Sequence, residues 1–181
     1  MLSGFVPTEL SPQRTLPLED KWVLVVEDEI DSTALFTLVF ELAGAEVFVA
    51  SSLDEALRVL NCFIPDAVVS NLLLPDGNGC ALAEHLRFLE SEVGRPIPAI
   101  ALSAETNHFY QEWALSAGFQ NHLLKPLDPS DLVKAVISAI QKHPSSTDGK
   151  GSETNSDRSN FLRPSRGLRL KAGRSTRSRV S

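Results

Sequence analysis

The sequence predicts an α/β domain: a doubly wound, five-stranded, mostly parallel sheet with flanking helices. Three observations predict it. Apolar runs of strand length alternate five times with segments of helical period between Lys21 and His143. The strands read as nearly unbroken apolar runs, such as "WVLVV" and "AVV", which suits a sheet covered on both faces. The joining stretches are short, as right-handed crossovers between parallel strands require.

Each element follows from its own residues. "KWVLVVEDE" is a β-branched run closed by acids, and so the first strand. "DSTALFTLVFELAG" is the first helix, with Leu35, Leu38, Val39 and Leu42 as its expected inner face, Asp31 or Ser32 as its cap and Gly44 as its stop. "AEVFVA" is the second strand. Ser51 or Ser52 caps "LDEALRVLNCF", where Ala56, Leu57, Leu60 and Phe63 share a face.

Asp66 to Ser70 is the third strand, and Gly79 to Glu92 a helix with Leu82, Leu86 and Leu89 inward. "IPAIALS" is the fourth strand, "ETNHFYQEWALSAG" a helix closed by Gly118, and "FQNHLL" the fifth strand. "DPSDLVKAVISAIQKH" is the last helix, with Asp128 at its N-cap and Pro129 at its first position.

Residues 1–20 hold Pro7, Pro12 and Pro17 without periodicity and read as a flexible leader. Residues 21–143 are the domain. Residues 144–181, rich in Ser, Gly and Arg, read as a disordered basic tail with too little apolar area for a second core. The 181 residues carry a formal charge of −6, unevenly spread. Up to His143 there are about 20 acids against about 8 bases, and beyond it about 3 against about 9. No apolar run approaches the roughly 20 residues that span a bilayer, and the start lacks a secretory pattern. Cys62 and Cys80 have no metal-like spacing and read as small buried hydrophobes. The expected location is cytoplasmic, without membrane attachment.

In open α/β sheets, polar chemistry collects at the carboxyl ends of the strands. Glu27, Asp28 and Glu29 follow the first strand, Asn71 the third, Ser103 and Ala104 the fourth, Lys125 and Pro126 the fifth. Taken singly, each has a plain structural reading: acids at a helix start, a serine satisfying a local turn, a surface lysine.

Taken in order, "VLVVEDE", "PDAVVSNLLLPDGNG", "ALSAE" and "LLKPLD" resemble the receiver domain of two-component response regulators over Lys21 to about Lys142. The resemblance implies a flavodoxin-like fold with strand order 2-1-3-4-5. It also allows a cis peptide at Lys125-Pro126. Receivers accept a phosphoryl group from a histidine kinase on an aspartate beside Mg²⁺. By position, Asp28 would ligate the metal directly, Glu27 through water, and the Leu73 carbonyl would complete the protein's share. Lys125 would pair with the acids or the phosphoryl group, Ser103 would be the switch hydroxyl, and Ala104 would leave room for attack.

Two positions break the pattern. Asn71 stands at the phosphoacceptor position, and an amide, neutral and delocalised, is no nucleophile for acyl-phosphate chemistry. Asp66 starts the strand, Asp76 lies beyond the proline and Ser70 points to the other face, so none replaces it. His122 stands three residues before the lysine, where receivers usually carry an aromatic switch. It is titratable and so suited to sensing pH, but reads first as a half-exposed polar residue on an edge strand.

The expected function is therefore that of a degenerate, non-catalytic receiver acting by phosphorylation-independent protein interaction in phosphorelay signalling, with a protein partner such as a histidine kinase. No cofactor is expected, Mg²⁺ being weakly held or lost at Glu27 and Asp28. The expected partner face includes Phe109, Tyr110 and Trp113, with Tyr110 the foremost candidate to face outward. The alternative is nucleic-acid binding through Arg163, Arg166, Arg169, Lys171, Arg174, Arg177 and Arg179. An independent enzyme is not expected, since there is no glycine-rich phosphate loop and no nucleophile–base–acid arrangement.

Overall fold

A computed structural model of the chain describes residues 15–142. Residues 1–14 and 143–181, including the seven tail cations named above, lie outside the described residues. Strand β1 (Trp22–Val26) leads through α1 (Ile30–Leu42) to β2 (Glu46–Ala50) and α2 (Leu53–Cys62). Then come β3 (Ala67–Asn71), a ribbon of β4 (Leu73–Leu74) and β5 (Gly77–Asn78), and α3 (Gly79–Val93). The chain continues through β6 (Ala99–Ser103), α4 (His108–Ala117), β7 (Asn121–Leu124) and α5 (Pro129–Lys142).

The main sheet runs β2-β1-β3-β6-β7 with every pairing parallel. With the small antiparallel ribbon β4–β5 set aside, this is the expected order. Alternate side chains of the strands feed two apolar layers, as the pleat dictates. Leu24, Val26 and Val68 pack beneath α2, α3 and α4, against Leu60, Leu82, Leu86 and Ala114. Val23, Val25, Val69 and Leu102 pack beneath α1 and α5, against Phe36, Phe40, Leu132 and Val136.

Helix α1 inverts the expected face. Phe36, Phe40 and Ala43 are its buried side, whereas Leu35, Leu38 and Leu42 are 43%, 53% and 69% exposed. Apolar residues occur nearly all round this helix, so periodicity alone does not orient it, and the two phenyl rings bury more area than the leucines. Its N-cap is Glu29, with no side-chain cap, rather than Asp31 or Ser32. Ser32 Oγ instead donates to the Glu29 carboxylate.

Other boundaries shift for local reasons. Residues 15–20, expected in the leader, include a turn in which Leu18 N–H donates to the Ala43 carbonyl and the Leu18 side chain joins the core. Helix α4 starts at His108, capped by Asn107, whose Oδ1 accepts from Phe109 N–H. Ser52 caps α2 by accepting from Glu55 N–H. Asp128 Oδ1 accepts from Ser130 N–H at the start of α5. Cys80 is buried, and burial with the nearby Glu84 carboxylate pushes its thiol up to about 11. Cys62 is exposed, because the buried side of α2 is set by Ala56, Leu60 and Phe63. The Lys125-Pro126 peptide is cis. Among the described residues, no helix is long and apolar enough to cross a membrane.

Candidate functional site

Parallel strands bring all their carboxyl ends to one edge of the sheet, and there the four polar features meet. Glu27 follows β1, and its N–H donates to the Ala50 carbonyl, which continues the β1–β2 ladder by one residue. That extension holds its side chain inside, 2% exposed. Lys125, just after β7, reaches across the sheet so that Nζ lies 2.5 Å from Glu27 Oε2. The same ammonium sits 5.9 Å from the centroid of Phe36 on α1, a cation–π distance. A buried carboxylate requires such a partner, since unpaired it would cost several kcal/mol.

Asn71 ends β3 beside this pair. Its Nδ2 donates to Glu27 Oε1 at 3.4 Å and to Asp28 Oδ1 at 3.2 Å. Glu29 N–H also donates to Glu27 Oε1, at 3.3 Å. The buried carboxylate thus has the backbone and an amide on one oxygen and a cation on the other. Asp28 is exposed at the rim.

Ser103 ends β6, opposite Leu124 in the β6–β7 register. It is buried, and Oγ accepts from Glu105 N–H at 2.9 Å, so its hydroxyl is engaged in the turn that precedes α4. Ala104 is exposed. His122 sits in β7 opposite Ala101, on the face covered by α3 and α4. It is half-buried, Nε2 has no hydrogen-bond partner, and burial pushes its pKa down.

The three alternative side chains near Asn71 point elsewhere. Asp66 accepts from Trp22 N–H at the opposite end of the sheet. Ser70 Oγ is buried and donates to the Asn71 carbonyl. Asp76 accepts from Leu53 N–H and Asp54 N–H at 2.8 and 2.9 Å, clamping the loop after β3 to the first turn of α2. These backbone donors lower its pKa.

Several contributing residues had no signal as site residues in the sequence. Phe36 forms the floor under Lys125. Thr33 Oγ1 donates to the carbonyls of Glu27 and Glu29 and ties α1 to the acidic loop. Gly79 lets α3 start against β3, since a Cβ there would stand 2.6 Å from the Asn71 carbonyl oxygen. The repeated glycines of "PDGNG" were a cue to a close approach, without indicating which one made it.

A divalent cation here would draw on Glu27, Asp28 and the Leu73 carbonyl. Among the described residues, no group of three or more His, Cys, Asp or Glu side chains converges to hold a metal. Asn71 and Lys125 already donate to the two acids, and a hard cation favours several oxygen ligands. The donor set fits Mg²⁺ poorly.

Residues 23–137 match the family described as the response regulator receiver domain. The chain belongs to this family. A relative known as the uncharacterized 14.6 kDa protein in the sodA1 3′ region of Leptolyngbya boryana is 37% identical over 114 residues, covering 63% of this chain and 86% of that protein. The Regulator of RpoS of Escherichia coli K12 is 32% identical over 125 residues, covering 69% of this chain and 36% of that protein. This receiver thus spans about a third of that regulator's length. A putative response regulator of Chloroflexus aurantiacus has a solved structure with TM-score 0.62 and 29% identity, covering 67% of this chain and 98% of the other. The receiver domain of a sensor histidine kinase from Pseudomonas aeruginosa, solved with a magnesium ion coordinated in its active-site cleft, has TM-score 0.60 and 26% identity. It covers 67% of this chain and 98% of its own.

The partner-face expectation is corrected in one respect. Phe109, not Tyr110, is the outward residue, 60% exposed. Tyr110 and Trp113 are half-buried against the core beneath α4. Phe109 lies nearly parallel to Trp113, ring centroids 6.2 Å apart at 21°. Position in the helix decides this, because Trp113 and Tyr110 fall on the side of Ala114 that meets the sheet.

Proposed function

We propose that this receiver works as a protein-interaction module whose state is not written by aspartyl phosphorylation. The observation that carries the reading is the Asn71 amide at the end of β3, donating to Glu27 and Asp28. The family's reaction asks for a carboxylate there, to attack phosphorus and become an acyl phosphate. An amide carries no negative charge, and its nitrogen lone pair is delocalised into the carbonyl. In place of a nucleophile awaiting a metal, the pocket holds a satisfied network in which Lys125 balances Glu27 and Asn71, with the Glu29 N–H, supplies the remaining donors. Mg²⁺ binding is weak on this reading, and the protein is not an enzyme. Its location is the cytoplasm, and its partners are signalling proteins, kinases among them, that recognise the unmodified surface. That surface includes Phe109 on α4, stacked on a rigid base formed by Trp113.

The test is a phosphodonor assay with acetyl phosphate and Mg²⁺ on wild type and Asn71→Asp in parallel. Wild type incorporates no phosphate, and the variant gains it, because the scaffold around position 71 is intact. Phosphorylation of purified wild type overturns the reading.

A further inference from the structure

Helix α1 carries a second apolar face. Leu35, Leu38 and Leu42 recur at helical spacing on the side away from the core, each more than two-fifths exposed. Isolated exposed leucines are ordinary, but three in line form a seam that an unpartnered surface helix does not need. Asp31 lies on the same line and Glu41 beside it, and α1 contains no basic residue. The seam is apolar with an acidic margin.

We propose that residues 161–171 of the same chain, "FLRPSRGLRLK", cover this seam. The segment interleaves Phe161, Leu162, Leu168 and Leu170 with four cations, the complement of an apolar strip edged by acids. Its attachment point is close. Helix α5 packs beside α1, and both follow strands of one parallel sheet, so Lys142 emerges at the end of the domain where Leu42 lies. The intervening 18 residues, 143–160, can reach at most about 60 Å. That exceeds the roughly 20 Å length of α1. A tether of this reach gives an effective concentration on the order of millimolar, so a weak contact is enough.

Charge argues against the other occupants. Two copies of α1 meeting along the seam would bring Asp31 and Glu41 into a like-charged interface. Residues 1–14 carry one acid and one base and have no comparable complement. The consequence is regulatory, since the α1 face becomes available to other proteins when the tail is displaced. This inference is independent of the chemistry at Asn71, and phosphorylation of wild type would leave it untouched.

The test uses the full chain with a spin label on Ser165→Cys in a Cys62→Ser background, Cys80 being buried. The expected result is loss of the Leu38 and Leu42 methyl signals in NMR spectra, with Leu115 on α4 retained. The paired change Leu168→Asp and Leu170→Asp restores both signals without altering the melting temperature. Retention of the Leu38 and Leu42 signals overturns the proposal. So does loss that arises between labelled and unlabelled molecules in a mixture, which would identify a second copy. Loss caused by a label on Ser3→Cys but not by one at 165 would assign the seam to residues 1–14, and overturns it equally.

Discussion

Asn71 Nδ2 lies 3.2 Å from Asp28 Oδ1, and this hydrogen bond joins the end of β3 to the rim of the acidic loop. The same nitrogen reaches the buried Glu27. One neutral side chain thus ties together two carboxylates that would otherwise face each other across the pocket.

Asn71→Asp replaces those donors with a third acid. In metal-free buffer the variant is expected to be less stable by about 1–3 kcal/mol, the scale of lost hydrogen bonds to charged groups. Repulsion acts in the same direction. Adding Mg²⁺ restores stability to the variant more than to wild type, because only the variant presents three acids. Urea melts with and without Mg²⁺ measure both effects, and a variant more stable than wild type without metal would sink the argument.

Lys125→Met removes the cation from Glu27 while keeping an apolar contact with Phe36. Breaking one partner out of a largely buried pair is expected to cost about 3 kcal/mol. Pairing the change with Glu27→Gln recovers most of that loss, since no uncompensated charge remains. A double-mutant cycle by chemical denaturation reads the coupling, and additive effects of the two changes would contradict the pairing.

The loop after β3 has its own pH-sensitive clamp. Backbone N–H donors of Leu53 and Asp54 lower the pKa of Asp76 from its usual 3.8. A depressed folded-state value means the clamp contributes fully above the unfolded value and is lost as pH falls through the folded one. Asp76→Asn keeps one acceptor oxygen but loses the charge that strengthens both bonds, so the variant is expected to be less stable than wild type near neutrality and equal to it at the acid end. Melts of both proteins from pH 7 to pH 2 should converge on acidification, and a constant offset across that range would exclude the mechanism.

Much of this architecture is legible in the residues. The strands announce themselves because buried parallel strands are apolar on both sides: β1 is an unbroken apolar run, and β3 and β6 are apolar up to their polar carboxyl ends. The order of polar residues at the strand ends places Glu27, Asn71, Ser103 and Lys125 at one edge from the sequence alone. The inner face of α1 is not legible, because a segment apolar nearly all round has no unique inner stripe. Leu18 gives no sign of being core, since one leucine between Pro17 and an acidic pair carries no periodicity. The clamp at Asp76 is equally hidden. Its partners are backbone amides more than twenty residues away, and such donors are present at every position, so no residue type marks them.

His122 supplies a second pH dependence. Its imidazole is half-buried in β7 with Nε2 unpartnered, and burial lowers its pKa from 6.5. The folded state therefore favours the neutral ring, whereas the unfolded chain takes up a proton as pH drops below about 6.5. Stability contributed by the neutral ring is present above that value and declines on acidification until pH reaches the lowered folded value. His122→Phe places a ring without a titrating nitrogen at the same position, opposite Ala101. The variant should lose the part of the stability decline that begins below pH 6.5 while keeping the lower limb, to which Asp76 contributes. Thermal melts of the two proteins between pH 8 and pH 5 make the comparison. An unchanged slope in the variant would show that the ring is hydrated in solution and that burial does not control it.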